Sequence, residues 1–283
     1  MSDVALTAAD AYCRELTRRH YENFIVASGL VSPDIRRDLA RVYAFCRTTD
    51  DLGDESASRH EALERLGRWR TEVHAMFTGT TPVHPVLYAL RETVARAAIS
   101  PEPFFDLIEA NRLDQEATAY QTWPQLEAYC RLSAAPVGRM VLGIFGVDGP
   151  AAQALSDDVC IGLQLANHAQ DVKRDALIGR RYLLGEEVTA AGTSGAVRGL
   201  VERARRLLDS GRALETMVPF PLALQLRLYR MGGLAICKAI EDIDYHTEVR
   251  RPTVSGRDRV AILVRALGSS LRAGKSGRYV GST

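Results

Sequence analysis

The sequence predicts an all-α protein, because helix-type spacing of apolar residues recurs along the chain and strand-type alternation does not. Apolar residues recur three and four positions apart, and the residues around them are rich in Ala, Leu, Arg and Glu, which favour helices. Pro- and Gly-containing breaks divide the chain into about ten helices. With 283 residues, 46% of them hydrophobic and 25% charged, the chain is long and apolar enough to bury a large core.

The expected helix ends lie at turn-forming residues. Ser32 followed by Pro33 is a strong helix start, because the hydroxyl can cap free N–H groups and proline fits the first turn. The breaks, in chain order, are Ser32-Pro33, Gly79–Pro82, Ser100-Pro101, Thr122–Pro124, Gly146–Pro150, Gly192–Gly195, Pro219–Pro221 and Arg251-Pro252.

The breaks predict a single domain. None of them is long, and none separates regions of different composition, as a domain linker would. We therefore expect one domain over residues 1–273. The Gly- and Ser-rich end, residues 274–283, is expected to be a flexible tail.

Composition excludes several classes of protein. The 36 Lys and Arg residues balance 35 Asp and Glu residues, so the net charge of +1 does not favour a nucleic-acid partner. The five cysteines are far apart and form no CxxC pair, which indicates neither a disulfide framework nor a zinc site and suits the cytoplasm. No apolar run approaches the roughly 18 residues that span a bilayer, although composition leaves a peripheral membrane contact open.

A first acidic face is predicted on the helix that begins at Pro33. Tyr43, Arg47, Asp50 and Asp54 are spaced 4, 3 and 4 apart, so they share one helix face, with Asp51 beside them. Taken alone, this pattern is also typical of a solvated helix end.

A second acidic face follows a more apolar segment. Residues 159–169 are apolar around most of the helix, which predicts burial on most sides. A buried helix can carry polar residues only against a partner or a polar cavity, because unpaired buried charge costs several kcal/mol. Ion pairs with following arginines remain an alternative. The face comprises Gln164, Asn167, Asp171 and Asp175, and the arginines are Arg174, Arg180 and Arg181.

Two Asp-x-x-x-Asp pairs predict a metal-dependent site if they face each other across one cavity. The converging carboxylates would repel each other unless cations lay between them. Oxygen ligands without Cys or a His pair favour Mg²⁺, which keeps coordination positions for phosphate oxygens. The predicted substrate is therefore a phosphate or diphosphate ester, with Arg47 and Arg181 supplying further charge.

An apolar interior beside such a site predicts ionisation of an apolar diphosphate. Mg²⁺ would stabilise the departing pyrophosphate, and the apolar lining would shelter a carbocation from water. Aromatic faces would add cation–π contacts. The candidate aromatic residues are Phe24, Tyr43, Phe45, Tyr129 and Tyr245.

Two strings resemble the aspartate-rich regions of the squalene/phytoene synthase family. They are YAFCRTTDDLGDE, beginning at Tyr43, and LQLANHAQDVKRD, ending at Asp175. The resemblance continues from HYENF at His20 through SAAPVGRMVLGIFG to IEDIDYHTEVRRPTVS. It implies the all-α isoprenoid synthase fold of class I terpenoid enzymes, with a central cavity and Mg²⁺ ions between the aspartate regions and a diphosphate.

The resemblance also implies roles for individual residues. Asp50, Asp54, Asp171 and Asp175 match the catalytic aspartates that organise the metal ions, and Asn167 matches a further metal contact. The implied substrate-binding positions are His20, Phe24, Tyr43, Arg47, Asp51, Val137, Gly138, Gln164, Asn167 and Tyr245, to which the charge argument adds Arg181. Gly138 matches a kinked helix where a missing side chain makes room for the substrate.

Within the family, the chain is most similar to the bacterial hydroxysqualene-forming branch of hopanoid biosynthesis. HYENFIVAS, the turn from Pro136 to Arg139 and Gln170 before Asp171 carry this similarity. Many relatives have Arg at the position of Gln170, and the position of His168 is often apolar. These departures favour presqualene diphosphate plus water as substrates, received from a presqualene-diphosphate-forming paralogue, with hydroxysqualene and pyrophosphate as products.

Two alternatives remain. One is a transferase that condenses two farnesyl or geranylgeranyl diphosphates head to head, forming presqualene diphosphate, dehydrosqualene or phytoene. The other is a non-catalytic helical scaffold whose aspartates form surface ion pairs. We expect a cytoplasmic protein with an isoprenoid diphosphate substrate, and the membrane contact stays open.

Overall fold

A computed structural model describes residues 3–20, 30–116 and 119–276, and these residues form α-helices without a β-strand. The all-α prediction is confirmed. The described residues contain more helices than expected, because short helices such as α7 and α9 follow their neighbours almost without a loop. The helices are α1 (Asp3–His20), α2 (Pro33–Asp54), α3 (Arg59–Phe77), α4 (Pro85–Ala97), α5 (Glu102–Glu116), α6 (Trp123–Ser133), α7 (Ala135–Ile144), α8 (Pro150–Gln170), α9 (Val172–Leu177), α10 (Gly185–Ser210), a 3₁₀ turn (Gly211–Thr216), α11 (Phe220–Glu241) and α12 (Gly256–Ser276).

The chain divides into two compact units, Met1–Ile161 and Gly162–Thr283, and the division falls within α8. Each unit is described by itself. In neither unit is a described helix both long enough and apolar enough to cross a bilayer.

The predicted start of α2 is confirmed. The Ser32 hydroxyl accepts a hydrogen bond from the Ile35 N–H at 3.3 Å, and Pro33 occupies the first turn. Ser58 caps α3 in the same way through the N–H of Glu61. Each cap satisfies a backbone donor that the helix itself leaves free.

Aromatic packing forms the centre of the first unit. Phe45 of α2 is fully buried, and its ring lies 5.8 Å from that of Trp69 and 5.0 Å from that of Phe104. The Trp69 indole N–H donates to the Thr49 hydroxyl at 2.9 Å. The prediction that Phe45 offers its face to a carbocation is therefore wrong, because this ring is enclosed by core residues.

A buried ionic network joins α1, α2 and α4 in the first unit. Arg41 is 3% exposed and donates two hydrogen bonds to Asp10, at 2.7 and 3.0 Å. It also donates to Thr93 at 3.2 Å, and Thr93 donates to Asp38 at 2.6 Å. Arg96 completes the set by pairing with Asp38. Buried charges persist in a core only when they are paired in this way.

In the second unit, glycines allow close helix packing. A Cβ on Gly233 of α11 would lie 2.8 Å from Leu208 and 2.9 Å from Leu163, closer than side chains pack.

The predicted break at Gly192–Gly195 is also present. Gly192 interrupts α10 with a φ of 71°, in the left-handed region that glycine adopts without strain.

Candidate active site

The first acidic face lies on the C-terminal half of α2, as the spacing predicts. Asp50 and Asp54 are exposed one turn apart, whereas Tyr43, Arg47 and Asp51 are half-buried. The Arg47 guanidinium pairs with the Asp51 carboxylate, with Nη2 2.6 Å from Oδ1. This pair holds Arg47 one turn from Asp50, so two carboxylates and a guanidinium share one surface.

Asn111 of α5 contacts the first acidic face. The residue is 8% exposed, and its Nδ2 donates to Asp50 Oδ1 at 3.2 Å and to the Leu107 carbonyl at 3.1 Å. Crowding by protein atoms and, to a smaller extent, the charge of Asp54 raise the pKa of the Asp50 carboxyl to about 6, against the hydrogen bond from Asn111. A carboxylate with a raised pKa beside a second carboxylate gains stability from a bound cation.

Gly53, within the acidic string, permits this approach of α5. A Cβ at Gly53 would lie 3.1 Å from Asn111 Oδ1 and 3.3 Å from Gln115 Nε2, a tight contact. Gln115 donates to the Gly53 carbonyl at 3.4 Å. The missing side chain at Gly53 therefore brings an amide donor within reach of Asp50.

Val137 and Gly138 lie on α7, and side chains of α8 occupy the space beside Gly138. A Cβ on Gly138 would lie 2.7 Å from Cys160 Sγ and still closer to Ser156 Oγ, both on α8. The room made by the missing side chain is therefore filled by side chains of α8, and a substrate role for Gly138 stays a prediction. Half-buried Val137 packs against the core of the first unit.

The second acidic region belongs to the second unit, and it is not one continuous helix. Helix α8 ends at Gln170, Asp171 has φ −100° and ψ 14°, and α9 begins at Val172. Backbone hydrogen bonds still join Asp171 N to Asn167 O at 2.9 Å and Asp175 N to Asp171 O at 2.8 Å. Asp171 thus forms a junction between two helices, and the one-turn spacing of Asn167, Asp171 and Asp175 continues through it.

Exposure differs sharply along this region. Asn167 is exposed, Gln164 and Asp175 are half-buried, and His168 is buried. The His168 ring stacks on Tyr182 with centroids 3.7 Å apart. Burial and, to a smaller extent, the charge of Arg180 lower the pKa of His168 to about 3, so its imidazole is neutral.

Arg251 pairs with Asp171. Its Nε donates to Asp171 Oδ1, and Nη2 donates to Asp171 Oδ2 at 3.3 Å. Nη2 also donates to Gln170 Oε1 at 3.0 Å. The sequence left ion pairs with Arg174, Arg180 and Arg181 as an alternative, whereas the arginine that pairs with Asp171 is Arg251. Arg181 is exposed in the segment between α9 and α10.

Tyr245 lies in a strained turn after α11. Tyr245 and Asp244 have φ values of 63° and 52°, in the left-handed region that residues with a Cβ rarely adopt. The Arg198 guanidinium lies 4.8 Å from the centre of the Tyr245 ring. Such strain in consecutive residues is typical of positions where function requires a particular side-chain placement.

Two predicted residues cannot be placed. The backbone of His20 ends α1, but its side chain lies outside the described part of the chain. Phe24 lies outside the described residues altogether.

The family model described as "Squalene/phytoene synthase" matches residues 17–258 of the chain. The chain belongs to the squalene/phytoene synthase family. The chloroplastic phytoene synthase 3 of Zea mays is 32% identical over 294 residues, which cover 95% of this chain and 68% of the relative.

Solved structures of this family share the fold. The squalene synthase HpnC from Alicyclobacillus acidocaldarius is 43% identical, with a TM-score of 0.81 over 86% of this chain and 97% of that one. A dehydrosqualene synthase solved in complex with a ligand is 22% identical, with a TM-score of 0.83 over 95% and 98% of the two chains. The latter likeness shows the fold alone.

Squalene/phytoene synthase enzymes generally use a divalent metal, and the residues present suit one. Asp50 and Asp54 are exposed and offer only oxygen ligands, and the raised pKa of Asp50 would be offset by a cation. Within the described residues, no three His, Cys, Asp or Glu side chains are grouped closely enough to hold a metal alone.

Two site residues were missed by sequence reasoning. Asn111 is a buried polar residue on an otherwise apolar helix face, and such a residue requires a hydrogen-bond partner. Arg251 belongs to a string that carried the resemblance, but local spacing cannot connect it with Asp171, which is eighty positions away.

Proposed function

We propose that this family member is a hydroxysqualene synthase that converts presqualene diphosphate and water to hydroxysqualene and pyrophosphate. The observation that carries the proposal is the 43% identity to the squalene synthase HpnC, over 97% of that chain. The two aspartate regions support it, because they supply the oxygen ligands that a metal-bound diphosphate requires.

The reaction needs no reductant. The bond between the cyclopropylcarbinyl carbon and the diphosphate oxygen breaks, and its electron pair leaves on pyrophosphate. The cation rearranges with opening of the ring. A water oxygen then bonds to the cationic carbon and releases a proton, which gives the alcohol hydroxysqualene.

The proposed Mg²⁺ ligands are Asp50 and Asp54 on α2, Asn167 on α8, and Asp171 and Asp175 around α9. When bound, Mg²⁺ neutralises the charge that develops on the leaving pyrophosphate. Tyr43, Arg47, Gln164, Arg181 and Tyr245 are proposed to orient the diphosphate end of the substrate, and Val137 the hydrocarbon end. His20, Phe24, Asp51 and Gly138 remain substrate-binding proposals from family resemblance, with packing the observed role of Gly138.

Incubation of the purified chain with presqualene diphosphate and Mg²⁺ tests this function. We expect hydroxysqualene and one equivalent of pyrophosphate, and no product after Mg²⁺ is removed with a chelator. Unreacted presqualene diphosphate in the presence of Mg²⁺ would contradict the proposal.

A head-to-head transferase is the second candidate, favoured by the 32% identity to phytoene synthase 3 of Zea mays across 95% of this chain. Incubation with farnesyl or geranylgeranyl diphosphate alone distinguishes it. Formation of presqualene diphosphate, dehydrosqualene or phytoene from these substrates would favour the transferase.

A non-catalytic scaffold is distinguished by ligand binding. Pyrophosphate with Mg²⁺ at 100 times its dissociation constant should stabilise a diphosphate-binding protein by about 2.7 kcal/mol. A scaffold whose aspartates only form ion pairs would show no such stabilisation.

We also propose a peripheral membrane contact, which suits a long hydrocarbon product and a substrate handed over by a presqualene-diphosphate-forming paralogue. Helix α12 exposes Val260, Val264 and Leu267 at helical spacing, an amphipathic pattern. Sedimentation with anionic lipid vesicles tests the contact. Val264→Ser should weaken vesicle binding. Equal binding by the parent chain and by Val264→Ser would contradict the membrane contact.

A further inference from the structure

Arg251 is held in a fixed place beside the second acidic region. Besides its bonds to Asp171 and Gln170, its own segment is anchored at two backbone carbonyls. Gln170 Nε2 donates to the Pro252 carbonyl at 2.7 Å, and Lys173 Nζ donates to the Val249 carbonyl at 3.0 Å. Side chains on both sides of Asp171 thus hold the segment 249–252 against the junction of α8 and α9.

Gln170 binds both the Arg251 side chain and the backbone of its segment. The residue is 5% exposed, and both ends of its side-chain amide form hydrogen bonds, because Oε1 accepts from Arg251 and Nε2 donates to the Pro252 carbonyl. A buried amide with both ends satisfied fixes the position of its partners more strictly than a solvated one. Gln170 therefore determines where the Arg251 guanidinium lies.

The Arg251 guanidinium can donate further hydrogen bonds. Arginine has five N–H donors, and the three bonds from Nε and Nη2 leave the two donors of Nη1 without a partner among the described residues. The Arg251 side chain is 46% exposed, so these donors are open to a ligand. A planar guanidinium with open donors suits a phosphate oxygen.

We propose that Arg251 is a diphosphate-binding residue, positioned by Gln170, that binds the pyrophosphate group of the substrate beside Asp171. This inference rests on the proposed function and names one of its ligands. When Asp171 binds Mg²⁺, its carboxylate has less negative charge to share with the guanidinium. Arg251 then stays anchored on Gln170 and donates to the diphosphate, which adds a charge-assisted hydrogen bond.

Binding of inorganic pyrophosphate at saturating Mg²⁺, measured by calorimetry, tests this inference without turnover. Arg251→Gln should weaken pyrophosphate binding about tenfold, the loss expected for one hydrogen bond between charged groups. Arg250→Gln is the matched control, because it removes the same charge from the adjacent exposed position. It should bind pyrophosphate almost as the parent chain does.

A second variant separates direct binding from support of Asp171. In Gln170→Arg combined with Arg251→Gln, a guanidinium returns to the same place from the other side, and we expect pyrophosphate affinity to recover at least in part. If Arg251 only supported Asp171, both variants would bind pyrophosphate as tightly as the parent chain at saturating Mg²⁺, and Arg251→Gln would bind it more weakly only at limiting Mg²⁺.

The outcomes distinguish this inference from the proposed function. Absence of pyrophosphate binding by the parent chain would overturn the proposed function. Binding by the parent chain, with equal affinity in Arg251→Gln and Arg250→Gln, would overturn only the role of Arg251. Circular dichroism of each variant checks that the helices remain, and the double variant tests the role even if Arg251→Gln loses stability.

Discussion

Asn111 donates a hydrogen bond from its side-chain amide to the Asp50 carboxylate across 3.2 Å, and this bond joins α5 to the first acidic region on α2. The amide is itself oriented by its bond to the Leu107 carbonyl. Residues that orient a metal ligand affect metal affinity although they do not touch the metal. Asn111 is thus a positioning residue for Asp50 in the proposed reaction.

Asn111→Ala should raise the Mg²⁺ concentration needed for half-maximal pyrophosphate binding by about tenfold, because Asp50 loses its orienting donor. Calorimetric titration at several Mg²⁺ concentrations measures this shift. Gln115→Ala is the control, since Gln115 lies one turn further along α5 and donates to the Gly53 and Asn111 carbonyls instead. Equal shifts in the two variants would argue that only helix packing is involved.

Asp50→Asn and Asp171→Asn should each reduce turnover of presqualene diphosphate by about a thousandfold or more, because neutral amides hold Mg²⁺ poorly. The far-UV circular dichroism should be unchanged. Asp34→Asn removes an exposed carboxylate from the first turn of the same helix and should keep full activity. Full activity in both of the first two variants would exclude these aspartates as metal ligands.

Gly138→Ala should lower the free energy of unfolding by about 1–3 kcal/mol, because its Cβ would press on Ser156 and Cys160. Urea titration followed by circular dichroism measures the change. Gly67→Ala provides the contrast, since a Cβ there meets nothing within 4 Å on a regular helix. That variant should be about 0.5–1 kcal/mol more stable than the parent. A neutral Gly138→Ala would mean that α7 and α8 can separate without cost.

Arg41→Ala should cost about 3–5 kcal/mol of stability, because it leaves Asp10 buried without its main partner. Arg131→Ala breaks an exposed ion pair with Glu127 and should change stability by less than about 1 kcal/mol. Urea midpoints of the two variants give the comparison. Similar midpoints would contradict the importance of the buried network.

His84 should make the protein less stable in mild acid. Its neutral Nδ1 accepts from the Val86 N–H at 3.3 Å, and its ring lies 4.9 Å from Trp69. Burial lowers the pKa of His84 below its ordinary value, and the charge of Glu72 opposes the shift only in part. Below pH about 6.5 the unfolded chain gains a proton that the folded chain resists, so stability is complete above this pH and falls as the pH drops.

Replacement of His84 by Asn checks this, because Asn can cap the helix without titrating. Between pH 8 and pH 5, the parent chain should lose more of its free energy of unfolding than His84→Asn does. An identical loss in both proteins would assign the acid sensitivity to other groups.

The helical class and the helix starts depend on interactions between residues close together in the chain, and so they could be predicted from the sequence. Ser32 and Pro33 begin α2 through a cap and a fixed φ, and Gly192 interrupts α10, because these effects involve only neighbouring residues. The first acidic face was predicted for the same reason, since residues four apart on one regular helix share a face.

Longer-range relationships depended on packing. The spacing predicted that α8 continues through Asp171. Asp171 instead lies at the junction of α8 and α9, where it follows Gln170 and pairs with the distant Arg251. The approach of Asn111 to Asp50 likewise depends on how α5 packs at Gly53. Phe45 lies on the same helix as the first acidic face, but its ring packs against Trp69 and Phe104.

The sequence by itself determined the all-α class and the two aspartate pairs, because helical periodicity and residue chemistry are local properties. The tertiary structure alone decided which donors reach the aspartates, that Gly138 serves packing and that Arg41 is buried. These outcomes depend on side chains brought together from distant parts of the chain, and local spacing carries no information about such contacts.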